Sequence, residues 1–204
     1  MISPTTFLLF LTTSAVLVLI PGPNHLYITA RGLSQGRAAG LVSALGVELG
    51  TVVHIAAAAA GLSYVIAQSA TLYTVIKWAG VAYLVYLAIR AFTGKQGEAE
   101  RPEPQPLRKV FLEGVLVNVF NPKTLLFFLA LLPPFVRPEA GSPALQVVLF
   151  GLTLLVLGLI SDLGYALTAG ALRNRVSRAG RRLRHVSGVV YLGLGVLTAF
   201  TGRE

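Results

Sequence analysis

Six stretches of this chain are apolar for about the twenty residues that a helix needs to cross a hydrocarbon core of about 30 Å. They fall at roughly 5–31, 40–67, 72–92, 110–133, 144–171 and 184–201. A chain with that pattern is predicted to be an all-α integral membrane protein. Its composition agrees: 54% of the 204 residues are hydrophobic and only 12% are charged. A soluble domain carries roughly 25% charged residues. A soluble enzyme, a nucleic-acid binder and a disordered segment are thereby disfavoured, despite a net charge of +9. The chain has no cysteine, which excludes disulfides and thiolate metal sites. No Lys or Arg precedes Arg31, so the expectation is a retained first span rather than a cleaved signal peptide.

The positive charge reads as topology. Arg31 and Arg37 follow the first span. Arg90, Lys95, Arg101, Arg108 and Lys109 follow the third, and Arg173, Arg175, Arg178, Arg181, Arg182 and Arg184 follow the fifth. Basic loops stay in the cytoplasm, so these three links are expected inside and both termini outside. Only one link is long and polar. It contains Pro102, Pro104 and Pro106, and it divides the chain into 1–93, a cytoplasmic linker 94–109, and 110–204.

The halves resemble each other. Gly80-Val81-Ala82-Tyr83-Leu84 and Phe92 match Gly188-Val189-Val190-Tyr191-Leu192 and Phe200; Glu48-Leu49-Gly50 matches Asp162-Leu163-Gly164. Spans 1 and 4 each carry a Pro/Asn interruption. Three spans is an odd number, so the two repeats would be inserted with opposite orientations, as in many secondary transporters.

The interruptions are candidate binding elements. Proline removes a backbone donor and clashes with the preceding turn. Pro21-Gly22-Pro23-Asn24 should therefore break span 1, with Asn24 capping the half-helix that follows. Asn121-Pro122 should break span 4, with Asn121 as N-cap and Pro122 at the first helical position. Half-helix starts at membrane depth carry unpaired N–H groups and suit a carboxylate. Lys123 and Asn118 flank the second break. A lysine at this depth is expected to pair with an anion, either a protein carboxylate such as Asp162 or a substrate carboxylate. The alternative is that it reaches out to the interface.

Asp162 follows a long uncharged run, and Glu48 is its counterpart in span 2. Acids within spans are functional candidates by default. Either could take a proton or hold an ammonium group. Glu113, nearer the basic loop, reads as interfacial. His25 adjoins the first break and is a secondary candidate, as is His54. Six residues separate His54 from Glu48, which puts them on different helix faces. His54 therefore reads as a partner for a neighbouring helix rather than a metal ligand. Gly36-x3-Gly40 and Gly46-x3-Gly50 permit close helix packing.

Together these residues resemble the LysE/RhtB family of amino-acid exporters. The resemblance rests on Pro21-Gly22-Pro23-Asn24 with Arg31-Gly32 and Gly36-Arg37-Ala38-Ala39-Gly40. Gly46 through His54, Lys77-Trp78-Ala79-Gly80 with Tyr83-Leu84, and Phe111 through Phe128 add to it. It implies export of amino acids or their derivatives across the bacterial inner membrane, driven by the proton motive force, and no enzyme. No cofactor and no resident metal are expected. The partners expected are a small zwitterion, a coupling ion (H⁺, with Na⁺ as the alternative), membrane lipid, and a second copy if the chain is oligomeric; Thr12, Thr13, Ser14 and Ser161 are small polar groups that could serve either ion. The competing reading is a divalent-metal or other cation exporter using Asp162, Glu48, His25 and His54. That reading requires His54 close to Asp162.

Overall fold

The computed structural model describes residues 2–68, 71, 74, 75, 78, 81, 82, 85, 86, 89 and 103–200. Within these, the side chains of 62–68, 170–188, 190, 191, 194, 195 and 197–200 lie outside the description. The third predicted span, the body of the 94–109 linker and most of the Gly80/Gly188 match therefore fall wholly or partly outside it.

Every regular element among the described residues is helical. Helix α1 (Pro4–Leu19) starts where Ser3 Oγ accepts the Thr6 N–H, and it stops at Ile20, whose backbone is extended. Helix α2 (Pro23–Gln35) restarts after Gly22. The two axes meet at 46° and together pass as one broken span. At Gly36 the backbone takes φ 87°, a region open to glycine at little cost, and the chain reverses into α3 (Arg37–Gln68). Helix α4 (Leu107–Val119) ends at Phe120. The short α5 (Pro122–Leu126) continues through a π turn at Phe127–Leu131 and a 3₁₀ turn at Pro133–Phe135. This second pair is bent by 44°. The sequence thus located both breaks.

One boundary differs. The sequence reading ends span 5 near 171 and begins span 6 near 184. The structure carries α6 from Pro143 to Phe200 without interruption. The link between those spans contains no proline and is rich in Arg, Ala and Leu, residues that sustain a helix. Within α6, Pro143–Ala169 has the length and hydropathy of a span, as Arg37–Gly61 has within α3.

The molecule is polar inside and apolar outside. Leu19, Phe120, Leu145 and Ile160 are exposed, whereas Ser14, Arg31, Glu48, Asn118, Asn121 and Asp162 are buried. In water, so much exposed apolar surface would drive association; against acyl chains it is the natural outer face. Helices α3 and α4 approach at backbone distance. A Cβ at Gly46 would strike the Phe111 carbonyl, and one at Gly114 would sit 2.8 Å from the Ser43 carbonyl. An aromatic cluster closes one end of the bundle: the Phe10 ring lies 4.4 Å from that of Phe150, 5.3 Å from Phe135 and 5.7 Å from Phe127.

An ion pair between the buried Arg31 and the half-buried Glu113 ties the opposite end. Arg31 is 3% exposed. Its Nη2 donates to Glu113 Oε2 at 2.6 Å and its Nη1 to the Glu103 carbonyl at 2.9 Å. Tyr27 Oη donates to the Val110 carbonyl and to Glu113, and Gln35 holds the Gln105 carbonyl. Breaking a buried pair by removing one partner costs about 3–5 kcal/mol, because a charge is left uncompensated. Glu113→Met strands the more deeply buried charge, so it should lower the unfolding midpoint in detergent more than Arg31→Met. The double substitution should recover much of the loss. Thermal melts of the three variants, followed by intrinsic fluorescence, check this.

Candidate functional site

The two helix breaks meet, and three asparagines join them. Asn24 Nδ2 donates to Asn118 Oδ1 at 3.0 Å, and Asn121 Nδ2 donates to Asn24 Oδ1 at 2.7 Å. Asn118 is fully buried and makes all four hydrogen bonds that a carboxamide can make. Its Nδ2 donates to the Val47 carbonyl and to Thr51 Oγ1; its Oδ1 accepts from Asn24 and from Thr124 Oγ1. One side chain thereby binds α2, α3 and α5 to α4.

Asn121 caps α5 as expected, with Oδ1 accepting the Lys123 N–H at 2.9 Å. Asn24 does not cap α2. Gly22 is the N-cap, Pro23 takes the first helical position, and Asn24 turns inward to the other asparagines. The physical reason is register: proline is most readily accommodated at the first helical position, which moves the cap one residue before Pro23 and leaves Asn24 inside the helix.

Lys123 does not take Asp162 as its partner. Its Nζ donates to the Ile20 carbonyl at 2.6 Å, one of the acceptors that α1 leaves unpaired where it stops. The ammonium thus joins the end of one broken span to the start of the other, and no Asp162–Lys123 ion pair forms among the described residues. Its side chain packs beside Gly22, where a Cβ would come within 3.2 Å of Lys123 Cδ.

Asp162 and Glu48 are brought together. They are 3% and 8% exposed and line the same cavity, with Thr51 beside Glu48 and Glu48 Oε1 against Gly158, one turn before Asp162. Glu48 Oε2 is buried without a hydrogen-bond partner. His25 completes the group. Its Nδ1 accepts the Gly22 N–H at 3.3 Å, while Nε2 lies 3.1 Å from Ser161 Oγ and 3.4 Å from Asp162 Oδ1. Its ring centre lies 4.2 Å from that of Tyr165, with the two planes tilted by 43°.

These groups line a cavity of ≈ 60 Å³. Gly22, Asn24, His25, Glu48, Asn121, Lys123 and Asp162 supply much of the wall, and Leu17, Phe127 and Leu154 close it toward the aromatic cluster. The volume holds a few waters and falls well short of the roughly 300–1,000 Å³ of an ordinary ligand pocket. Any larger solute needs the helices to move. Pro21, Pro23 and Pro122 shape the breaks without donating to the cavity.

His54 is elsewhere. Its Nε2 meets the Asn118 carbonyl at 3.1 Å and its ring stacks on Phe128. The metal reading required His54 beside Asp162, and the structure separates their partners. Among the described residues no group of three or more His, Asp or Glu is arranged to hold a metal ion.

Sequence reasoning missed Thr51 and Thr124. Thr51 was legible in principle, since it lies three residues after Glu48 and hence on the same helix face. Thr124 carried no such signal: its partner Asn118 lies across the break.

Comparison with known proteins agrees over almost the whole length. The family model described as LysE type translocator matches residues 15–202. An uncharacterised membrane protein of Vibrio cholerae is 30% identical over 95% of this chain and 96% of its own length. The membrane protein YrhP of Bacillus subtilis is 29% identical, over 96% and 99%. A homoserine/homoserine lactone efflux protein of Salmonella typhimurium is 27% identical, over 93% and 94%. No solved structure matches. The chain belongs to the LysE type translocator family and is a membrane transporter, not an enzyme.

Proposed function

We propose that this protein exports amino acids or amino-acid derivatives from the bacterial cytoplasm by proton antiport. The observation that carries the reading is that two buried carboxyls, Asp162 and Glu48, line one cavity where two broken spans meet. In this scheme the acid pair holds either the coupling proton or the substrate ammonium, with Asp162 as the main proton site. Proton and substrate then exclude each other, which is what antiport requires. Asn24 and Asn121 give the cavity polar walls, Asn118 holds Asn24 from behind, and Lys123 keeps the two breaks together. The efflux protein of Salmonella typhimurium suggests small polar substrates such as homoserine or its lactone.

In the same reading, residues 1–93 and 110–204 form two three-helix halves of opposite orientation that rock about the cavity. The linker 94–109 lies in the cytoplasm and both termini lie outside. The matching bends of 46° and 44° support this. For residues 184–201 to share the bilayer with 143–171, the chain must turn back within the Arg173–Arg184 link. An unbroken helix of 58 residues would reach about 87 Å at 1.5 Å per residue.

The test is uptake into inside-out vesicles containing the protein. The lumen corresponds to the cell exterior, so an acid lumen provides the driving gradient. Offered the common amino acids with homoserine and its lactone, the vesicles should accumulate one or a few, read by mass spectrometry, and collapsing the gradient should abolish the accumulation. No gradient-dependent accumulation of any of them would overturn the proposal.

A further inference from the structure

We infer that His25 is a positioning residue that transmits the charge state of the Asp162–Glu48 pair to the break in the first span. The inference rests on the reading that this pair takes the coupling proton. His25 is the third residue of α2 (Pro23–Gln35). At that position a Glu or Gln commonly reaches back to the backbone N–H of the cap residue. Here an imidazole does so, its Nδ1 accepting from Gly22 N–H.

An accepting Nδ1 carries no proton, so in the neutral ring the proton is on Nε2. That N–H donates to Ser161 Oγ, and Asp162 Oδ1 lies beside it, 3.4 Å from Nε2, as a charge contact rather than a hydrogen bond. One edge of the ring therefore holds the start of α2, and the other holds α6 (Pro143–Phe200). The charged and titratable groups around the ring are Asp162 and Tyr165 on α6, Lys123 on α5, and Glu48 on α3.

The consequence is a grip that depends on the acid pair. An ionised carboxylate 3.4 Å from Nε2 attracts the N–H edge of the ring more strongly than a neutral carboxyl does. With Asp162 ionised, Nε2–H is held firmly and the start of α2 is tied to α6. When a proton neutralises Asp162 the tie weakens, and α2 can move against α6 at the Gly22 break. A doubly protonated ring could not accept from Gly22. His25 therefore acts as a neutral bridge, and its own ionisation is no step of the cycle.

Two substitutions separate this from a merely structural role. The carboxamide of His25→Gln offers an acceptor and a donor spaced much like Nδ1 and Nε2, and it cannot ionise. His25→Asn is one methylene shorter and can cap Gly22 without reaching Asp162. The full chain in proteoliposomes would be assayed for acid-lumen accumulation and for counterflow, the exchange of isotope-labelled for unlabelled amino acids with no gradient. His25→Gln should retain both activities and the wild-type pH profile. His25→Asn should retain counterflow and lose accumulation. Loss of coupling in His25→Gln would overturn the inference, because ionisation would then be required; so would full coupling in His25→Asn. If His25→Asn fails to fold by size exclusion, the pH profile of His25→Gln decides alone. A wild type that moves no amino acid in either assay is a different result, and it removes the proposed function instead.

Discussion

Asp162→Asn should reduce gradient-driven amino-acid accumulation to the level of protein-free vesicles while leaving counterflow measurable. Asparagine matches aspartate in size, and the α3–α6 contacts at Gly151 with Ile55 and at Gly158 with Glu48 are untouched, so the packing of the two helices survives. What is lost is the acid that shares the cavity wall with Glu48 and lies 3.4 Å from His25 Nε2. A carboxamide neither takes nor releases a proton in the working range, so substrate exchange loses its link to the gradient. Glu48→Gln should be milder. Glu48 has one oxygen without a partner and no contact with His25, so its removal leaves the bridge to the first break intact. Initial rates and steady-state accumulation in vesicles of acid lumen, beside counterflow in gradient-free vesicles, check both variants. Equal accumulation in Asp162→Asn and wild type would move the proton site to Glu48 or elsewhere.

The reach of the sequence follows the range of the interactions. The breaks at 21–24 and 121–122 were legible because proline acts on its own turn, within a few residues. Asn121 as a cap was legible for the same reason. Asp162 and Glu48 stood out because a carboxylate in an apolar run has no ordinary explanation. The partners were not legible. Asn24 meets Asn118 and Asn121 across more than ninety residues, and Lys123 reaches Ile20 across about a hundred. Nothing local distinguishes a lysine that bonds a helix end from one that awaits a carboxylate. Arg31 appeared to be an interfacial topology charge, yet it is buried against Glu113. The retention of positive charge inside and the closure of the bundle end use the same residue, and composition registers only the first.

The other large effect is expected at Asn118. Asn118→Leu should leave protein that inserts but unfolds many degrees below wild type and transports nothing. Leucine has the same branched skeleton as asparagine but bulkier ends, so it leaves no cavity and the loss of polar partners adds to the crowding. The Val47 carbonyl and Thr51 hydroxyl lose a donor, and the Asn24 amide and Thr124 hydroxyl lose an acceptor. A buried group left unsatisfied costs about 1–3 kcal/mol, and two or more stranded together would be a large fraction of the stability of an ordinary domain, about 5–15 kcal/mol. Asn118→Asp discriminates further. It keeps the shape and both acceptor bonds, but it loses the donor bonds to α3 and adds a carboxylate near Glu48. Its melt should lie between those of wild type and Asn118→Leu, with transport still abolished. Melting in detergent by intrinsic fluorescence, paired with vesicle uptake, tests the order. If Asn118→Leu melted with wild type, the asparagine junction would not be what holds the two breaks together, and the cavity would owe its shape to Lys123 and the prolines.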